Sequence, residues 1–153
     1  MTHLDPAFKP LEKLIGTWES KGRTLGATED NIFATTTFEP ILDGKYIQVT
    51  NHMTFDSENA KHVHDSIEIL WYDPERKVFP TLVYSTLGEG PGTTMEYTWE
   101  ADENGTIISR GGAAIYRGTF SEDGNVLTGG WRPDDSGDGR DEASYDLTMT
   151  RVS

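Results

Sequence analysis

Apolar and polar residues alternate along most of this chain with the two-residue period of a β-strand. Ile47, Val49, Met53 and Phe55 fall on one side of a segment, with Asn51 the polar exception among them. Met95, Tyr97 and Trp99 oppose Thr94, Glu96, Thr98 and Glu100; Tyr145, Leu147 and Met149 oppose Ser144, Asp146 and Thr148. Farther up the chain, Val63, Ile67, Ile69 and Trp71 share a face with Asp65, which assigns His64, Ser66 and Glu68 to the wetter side. Turn signals recur at strand-sized intervals, among them Asp43-Gly44, Tyr72-Asp73-Pro74, Asn104-Gly105, Gly111-Gly112 and Asp123-Gly124. Between the turns the pattern predicts ten strands, at 17–25, 31–39, 45–55, 63–72, 78–86, 94–102, 106–110, 113–120, 125–132 and 143–152. Helical spacing occurs once, in Pro10-Leu11-Glu12-Lys13-Leu14-Ile15, and predicts one short helix over 10–16 with Gly16 as its stop. Hairpin-spaced strands without intervening helices predict an all-β fold: an antiparallel up-and-down barrel of about ten strands, apolar inside and polar outside.

Composition narrows the class. A chain of 153 residues suits one domain, spanning 1–153. Thirteen Lys and Arg against 26 Asp and Glu leave a net charge of −13, which disfavours nucleic acid and anionic membranes as partners. With no cysteine, thiolate metal sites and a Cys nucleophile are excluded. No apolar run approaches the roughly 20 residues of a membrane span, and the first ten residues lack the apolar core of a signal peptide, so a cytoplasmic location is expected.

The opening Leu14-Ile15-Gly16-Thr17-Trp18, a short helix running into a Gly-x-Trp strand, resembles the start of lipocalins, fatty-acid-binding proteins and other members of the calycin superfamily. That resemblance implies that Trp18 closes the barrel floor and packs against an arginine late in the last strand, the place held here by Arg151. Attraction between a guanidinium and an indole face supplies the physical basis. Ile41-Leu42-Asp43-Gly44-Lys45-Tyr46-Ile47, Leu70-Trp71-Tyr72-Asp73-Pro74 and the 93–99 strand also resemble a calycin-type family designated a domain of unknown function. Nitrobindins, a neighbouring group of ten-stranded barrels, share the Gly-Thr-Trp start and bind heme through a histidine near the C-terminus. This chain has no histidine after His64, so heme ligation of that kind is not expected, and no cofactor is assigned.

Candidate chemistry is sparse. His62-Val63-His64-Asp65-Ser66-Ile67-Glu68 has the His-x-His-x-x-x-Glu spacing of a cupin metal motif, with His52 as a fourth candidate ligand. The second cupin motif is absent, and a solvated hairpin rim is the expected use of these residues. Asp134 to Glu142 begins like a calcium loop, but position 12 is Tyr145, so a solvated acidic loop is expected. Gly88 to Gly92 lacks the helix of a dinucleotide fingerprint and is expected, like the acidic loop, at the barrel rim. Asn104-Gly105-Thr106 matches a glycosylation sequon but is expected as a hairpin turn, and no Gly-x-Ser-x-Gly elbow occurs.

Ten strands enclose more space than side chains usually fill, since eight-stranded barrels already hold one small ligand. The expected function is therefore non-covalent binding of a small, largely apolar or aromatic molecule. Its expected site comprises Asn51, Met53, Asp65, Ile67, Tyr84, Met95, Tyr97, Trp99, Tyr116, Trp131 and Met149. Two alternatives stand beside it. One is a cofactor-free isomerase, cyclase or hydratase, with Asp65 or His64 as general base and a tyrosine as acid; the other is a metal-dependent enzyme using His52, His62, His64 and Glu68. A homodimer formed through exposed strands such as 113–120 is a further expectation.

Overall fold

In the computed structural model, which describes residues 3–57, 60–86, 91–134 and 144–153, the alternating segments become ten strands. They are Gly16–Thr24 (β1), Ile32–Ile41 (β2), Tyr46–Ser57 (β3), Ala60–Leu70 (β4), Phe79–Ser85 (β5), Met95–Ala101 (β6), Ile107–Gly111 (β7), Ala114–Phe120 (β8), Val126–Pro133 (β9) and Tyr145–Arg151 (β10). Each pairs antiparallel with its neighbours in sequence, and β1 pairs with β10, closing an up-and-down barrel. Every strand has a hydrogen-bonded neighbour on each side, and β8 pairs along its length with β7 and β9. No helix among the described residues is long and apolar enough to cross a membrane.

The helix is displaced from its expected place. It is a 3-10 helix over Pro6–Leu14, with the Asp5 side chain accepting a hydrogen bond from the Ala7 amide at 2.9 Å. Asp5-Pro6, a cap followed by proline at the first turn, is the start signal that the spacing of the apolar residues alone missed. Phe8, Leu11 and Leu14 point into one end of the barrel and are buried there with Trp18, Phe38, Ile47, Leu70 and Phe79. Phe8 stacks on Phe79 with ring centroids 5.2 Å apart.

Trp18 and Arg151 lock this end. The Trp18 indole N–H donates to the Leu14 carbonyl at 2.8 Å, and the Arg151 guanidinium lies 4.3 Å from the Trp18 ring centroid. Arg151 also donates to the carbonyls of Ile15, Lys13 and Gly124, so one cation gathers the helix exit, β10 and the turn before β9. At the opposite end, the β7–β8 hairpin turns through Gly112 and Ala113, both at positive φ (58° and 63°), one residue later than Gly111-Gly112. Gly111 serves instead as contact surface: a Cβ there would collide with the ring of Tyr97.

Register settles which residues face inward. Ile47, Val49, Asn51, Met53 and Phe55 of β3 lie opposite Leu70, Glu68, Ser66, His64 and His62 of β4. Directly opposed residues share a face, so His64, Ser66 and Glu68 point into the barrel with Leu70. Val63, Asp65 and Ile67 point outward, and Tyr84, opposite Ile67 on β5, follows them. The β4 face assignment is thus inverted from expectation. Leu70 belongs to the fully buried floor and fixes the parity of the strand, while Val63, Ile67 and Tyr84 are exposed on the outer wall, Ile67 and Tyr84 side by side across β4 and β5.

Candidate functional site

Above the floor the barrel encloses a cavity of about 1030 Å³. Eight of the expected ligand-binding residues line it: Asn51, Met53, Met95, Tyr97, Trp99, Tyr116, Trp131 and Met149. Asp65, Ile67 and Tyr84 do not, for the reason of register just given. Asp65 instead contacts His52 on the outer wall, both side chains more than half exposed, so it cannot act as a base inside the barrel.

Three inward residues of β4 take the place of those three. Glu68 accepts a hydrogen bond from the Trp99 indole N–H at 3.1 Å, and Trp99 meets Phe38 edge-on at 5.9 Å. Burial pushes the Glu68 carboxyl up to about 7; the Trp99 bond and the nearby Thr81 hydroxyl only partly offset it, and that hydroxyl closes no hydrogen bond of its own. His64 shares a hydrogen bond of 2.6 Å between its Nε2 and Ser85 Oγ, and burial lowers its pKa more than Asp65 raises it. Ser66 lies between them on the same face. Two signals in the sequence pointed here: the shared parity with Leu70, and the apolar face of β3 across the hairpin.

Opposite Glu68 the wall is aromatic. Trp131 meets Tyr97 at 6.1 Å and Tyr116 at 5.8 Å. Tyr97 lies over Gly111, and Tyr116 lies over Gly118 and Gly129, where any Cβ would strike its ring or hydroxyl. Tyr145, absent from the expected set, lines the cavity beside them. All three tyrosines are held above the ordinary phenol range, chiefly by burial, so they stay protonated. The Thr36 hydroxyl donates to Asn51 Oδ1 at 2.7 Å. The hydroxyls of Tyr116 and Ser109 are buried and have no hydrogen-bond partner.

The metal motif splits. His62, His64 and Glu68 face inward, but His62 stacks on Phe55 at 4.8 Å and His52 is on the outside. No group of three or more such side chains that could hold a metal ion occurs among the described residues. Most of the two expected rim loops, residues 87–90 and 135–143, lies outside the described residues.

No family model matches the chain, and no curated protein matches it. Among solved structures, "Crystal Structure of Rv2717c from M. tuberculosis" is similar, with 11% sequence identity, a TM-score of 0.39, and coverage of 98% of this chain and 99% of that one. The fold described above rests on this chain's own strand pairing.

Proposed function

We propose that the barrel binds a small, largely apolar or aromatic molecule non-covalently in its cavity. The observation that carries this reading is the cavity itself, about 1030 Å³ of unfilled space walled by Trp, Tyr and Met. The Gly-Thr-Trp start and the Trp18–Arg151 stack support reading the fold as a calycin-like barrel.

Native mass spectrometry of the purified protein, set against its denatured mass, tests the proposal together with saturation binding of a naphthyl fluorophore. An organic adduct, or one-to-one uptake that Ser66→Phe abolishes while the melting transition survives, supports it. A bare mass combined with no saturable uptake overturns it.

A second reading, a cofactor-free enzyme, is favoured by one observation: Glu68 faces an apolar cavity with a pKa near the operating pH of a general acid or base. Under this reading Glu68 replaces Asp65 as the base. Loss of turnover by orders of magnitude in Glu68→Gln, with binding intact, distinguishes it from a carrier.

A further inference from the structure

The cavity has a conspicuous charge imbalance. Among the described residues, two carboxylates line it, Glu68 deep inside and Asp56 exposed, and no lysine or arginine does. The described arginines are engaged elsewhere: Arg23 with Asp30, Arg76 with Asp73 and Glu96, Arg110 with Glu100, Arg132 with Asp146, and Arg151 with backbone carbonyls, while Arg117 is exposed on β8. The whole chain carries −13, a balance that favours cationic over anionic ligands at long range. Buried carboxylates are normally paired with a cation or a metal. Glu68 has only the neutral Trp99 indole, with the Thr81 hydroxyl nearby.

We infer that the ligand is an organic amine, with an apolar body among the aromatic residues and a protonated ammonium head seated against Glu68. This deepens the proposed function and rests on it. The chemistry around Glu68 suits such a head. An ammonium brings three N–H donors, and the Glu68 carboxylate, which accepts from the Trp99 indole N–H, has lone pairs left to receive them. Tyr97, whose ring lies flat on Gly111 and lines the cavity, offers a π-face, to which cations are attracted most strongly where water is excluded. An anionic head would meet Glu68 with no opposing charge among the described lining residues.

The titratable groups that face Glu68 leave its proton as the one that responds. His64, on the same strand, is held below its usual range by burial, and Tyr97, Tyr116 and Tyr145 are held above theirs. Val49 of β3, Val83 of β5 and Leu14 of the helix do not titrate. With the Glu68 carboxyl pushed up to about 7, roughly half of these groups are protonated at pH 7 in the free protein. An arriving ammonium favours the carboxylate and expels that proton.

The test is calorimetric titration of the full chain, stripped of small molecules, with naphthylbutylamine, naphthylbutanol and naphthylbutanoate. The amine is expected to bind about tenfold or more tightly than the alcohol, and the carboxylate more weakly than either. At pH 7 amine binding releases roughly half a proton, read from its heat in buffers of differing ionisation enthalpy. Glu68→Gln keeps an acceptor for Trp99, removes the charge, and should abolish both the amine preference over the alcohol and the proton release. If amine and alcohol bind equally, or the carboxylate binds best, the amine inference falls and the cavity reading stands. If none of the three binds at millimolar concentration, both fall together.

Discussion

Replacing Glu68 by Gln should stabilise the ligand-free barrel at alkaline pH and do nothing near pH 4.5. The carboxyl titrates at about 7 in the folded chain against 4.5 in the open chain, because burial disfavours its charge. Between those values the folded state holds more proton than the unfolded state, so this group makes stability fall as pH rises; above about 7 both states are ionised and the loss is complete. At about 1.4 kcal/mol for each pH unit, the total is about 3 kcal/mol. Gln keeps the shape and the acceptor for Trp99 but cannot ionise. Wild type and variant should therefore match near pH 4.5 and diverge until the variant leads by about 3 kcal/mol at pH 8, roughly 6–12 °C in melting temperature for a chain of this size. Urea and thermal unfolding at fixed ionic strength across pH 4.5 to 9 measure the difference, and the subtraction cancels the contributions of the other carboxylates. A difference that stays constant with pH, or a variant less stable at pH 8, would refute the reasoning. Either would mean that the folded barrel solvates or pairs the Glu68 charge.

Three further outcomes follow from the same geometry. Arg151→Met removes the guanidinium from the Trp18 face and from three carbonyls; a loss of about 2–4 kcal/mol in urea unfolding is expected, with Arg151→Lys recovering less than half because an ammonium lacks the planar fork. Tyr116→Phe deletes a buried hydroxyl that has no partner, so the ligand-free protein should melt at the same or a higher temperature, by up to about 1 kcal/mol of stability, while polar probes of the cavity bind more weakly. Asp65→Asn alters an exposed outer-wall contact with His52 and removes a charge near His64 without changing the cavity lining, and calorimetry should find probe affinity unchanged within about twofold.

The ten strands were legible because each carries a two-residue period and ends at residues that tolerate a turn. Their order followed from the shortness of the connections, since neighbours in sequence must then be neighbours in space. The face of β4 was not legible from β4 alone. Val63, Ile67, Ile69 and Trp71 outnumber the apolar residues of the opposite face, and hydrophobic content selects the wrong side. What decides is the pairing Ser57↔Ala60, which sets odd residues of β3 against even residues of β4. With the expected strands ending at 55 and restarting at 63, that register was left open. Asp65, Ile67 and Tyr84 were misplaced by this one parity, and Glu68, the most perturbed carboxyl among the described residues, was hidden by it. The aromatic wall was legible because β3, β6, β8, β9 and β10 each have an unambiguous apolar face.

The position of the cavity follows from residue size along the barrel axis. At the helix end the inward positions are large: Trp18, Phe38, Leu70 and Phe79 meet Phe8 and Leu11 and leave no space. Farther along the barrel small inward residues are interspersed among the large ones, with Ser20, Gly22 and Ala34 on one side and Gly111, Gly118 and Gly129 on the other. Those last three glycines let the rings of Tyr97 and Tyr116 lie flat against the wall, so two bulky residues line the lumen without filling it. Gly111→Ala tests this account. The added methyl must push the Tyr97 ring inward, which should cost about 1–3 kcal/mol in urea unfolding through strain and weaken binding of naphthyl probes by narrowing the cavity. Tyr97→Ala in the same chain removes the clash, so its cost should be smaller in the Gly111→Ala background than beside the native glycine. If Gly111→Ala leaves both stability and probe affinity unchanged, the tyrosine does not lie on that glycine. The open lumen would then need another cause.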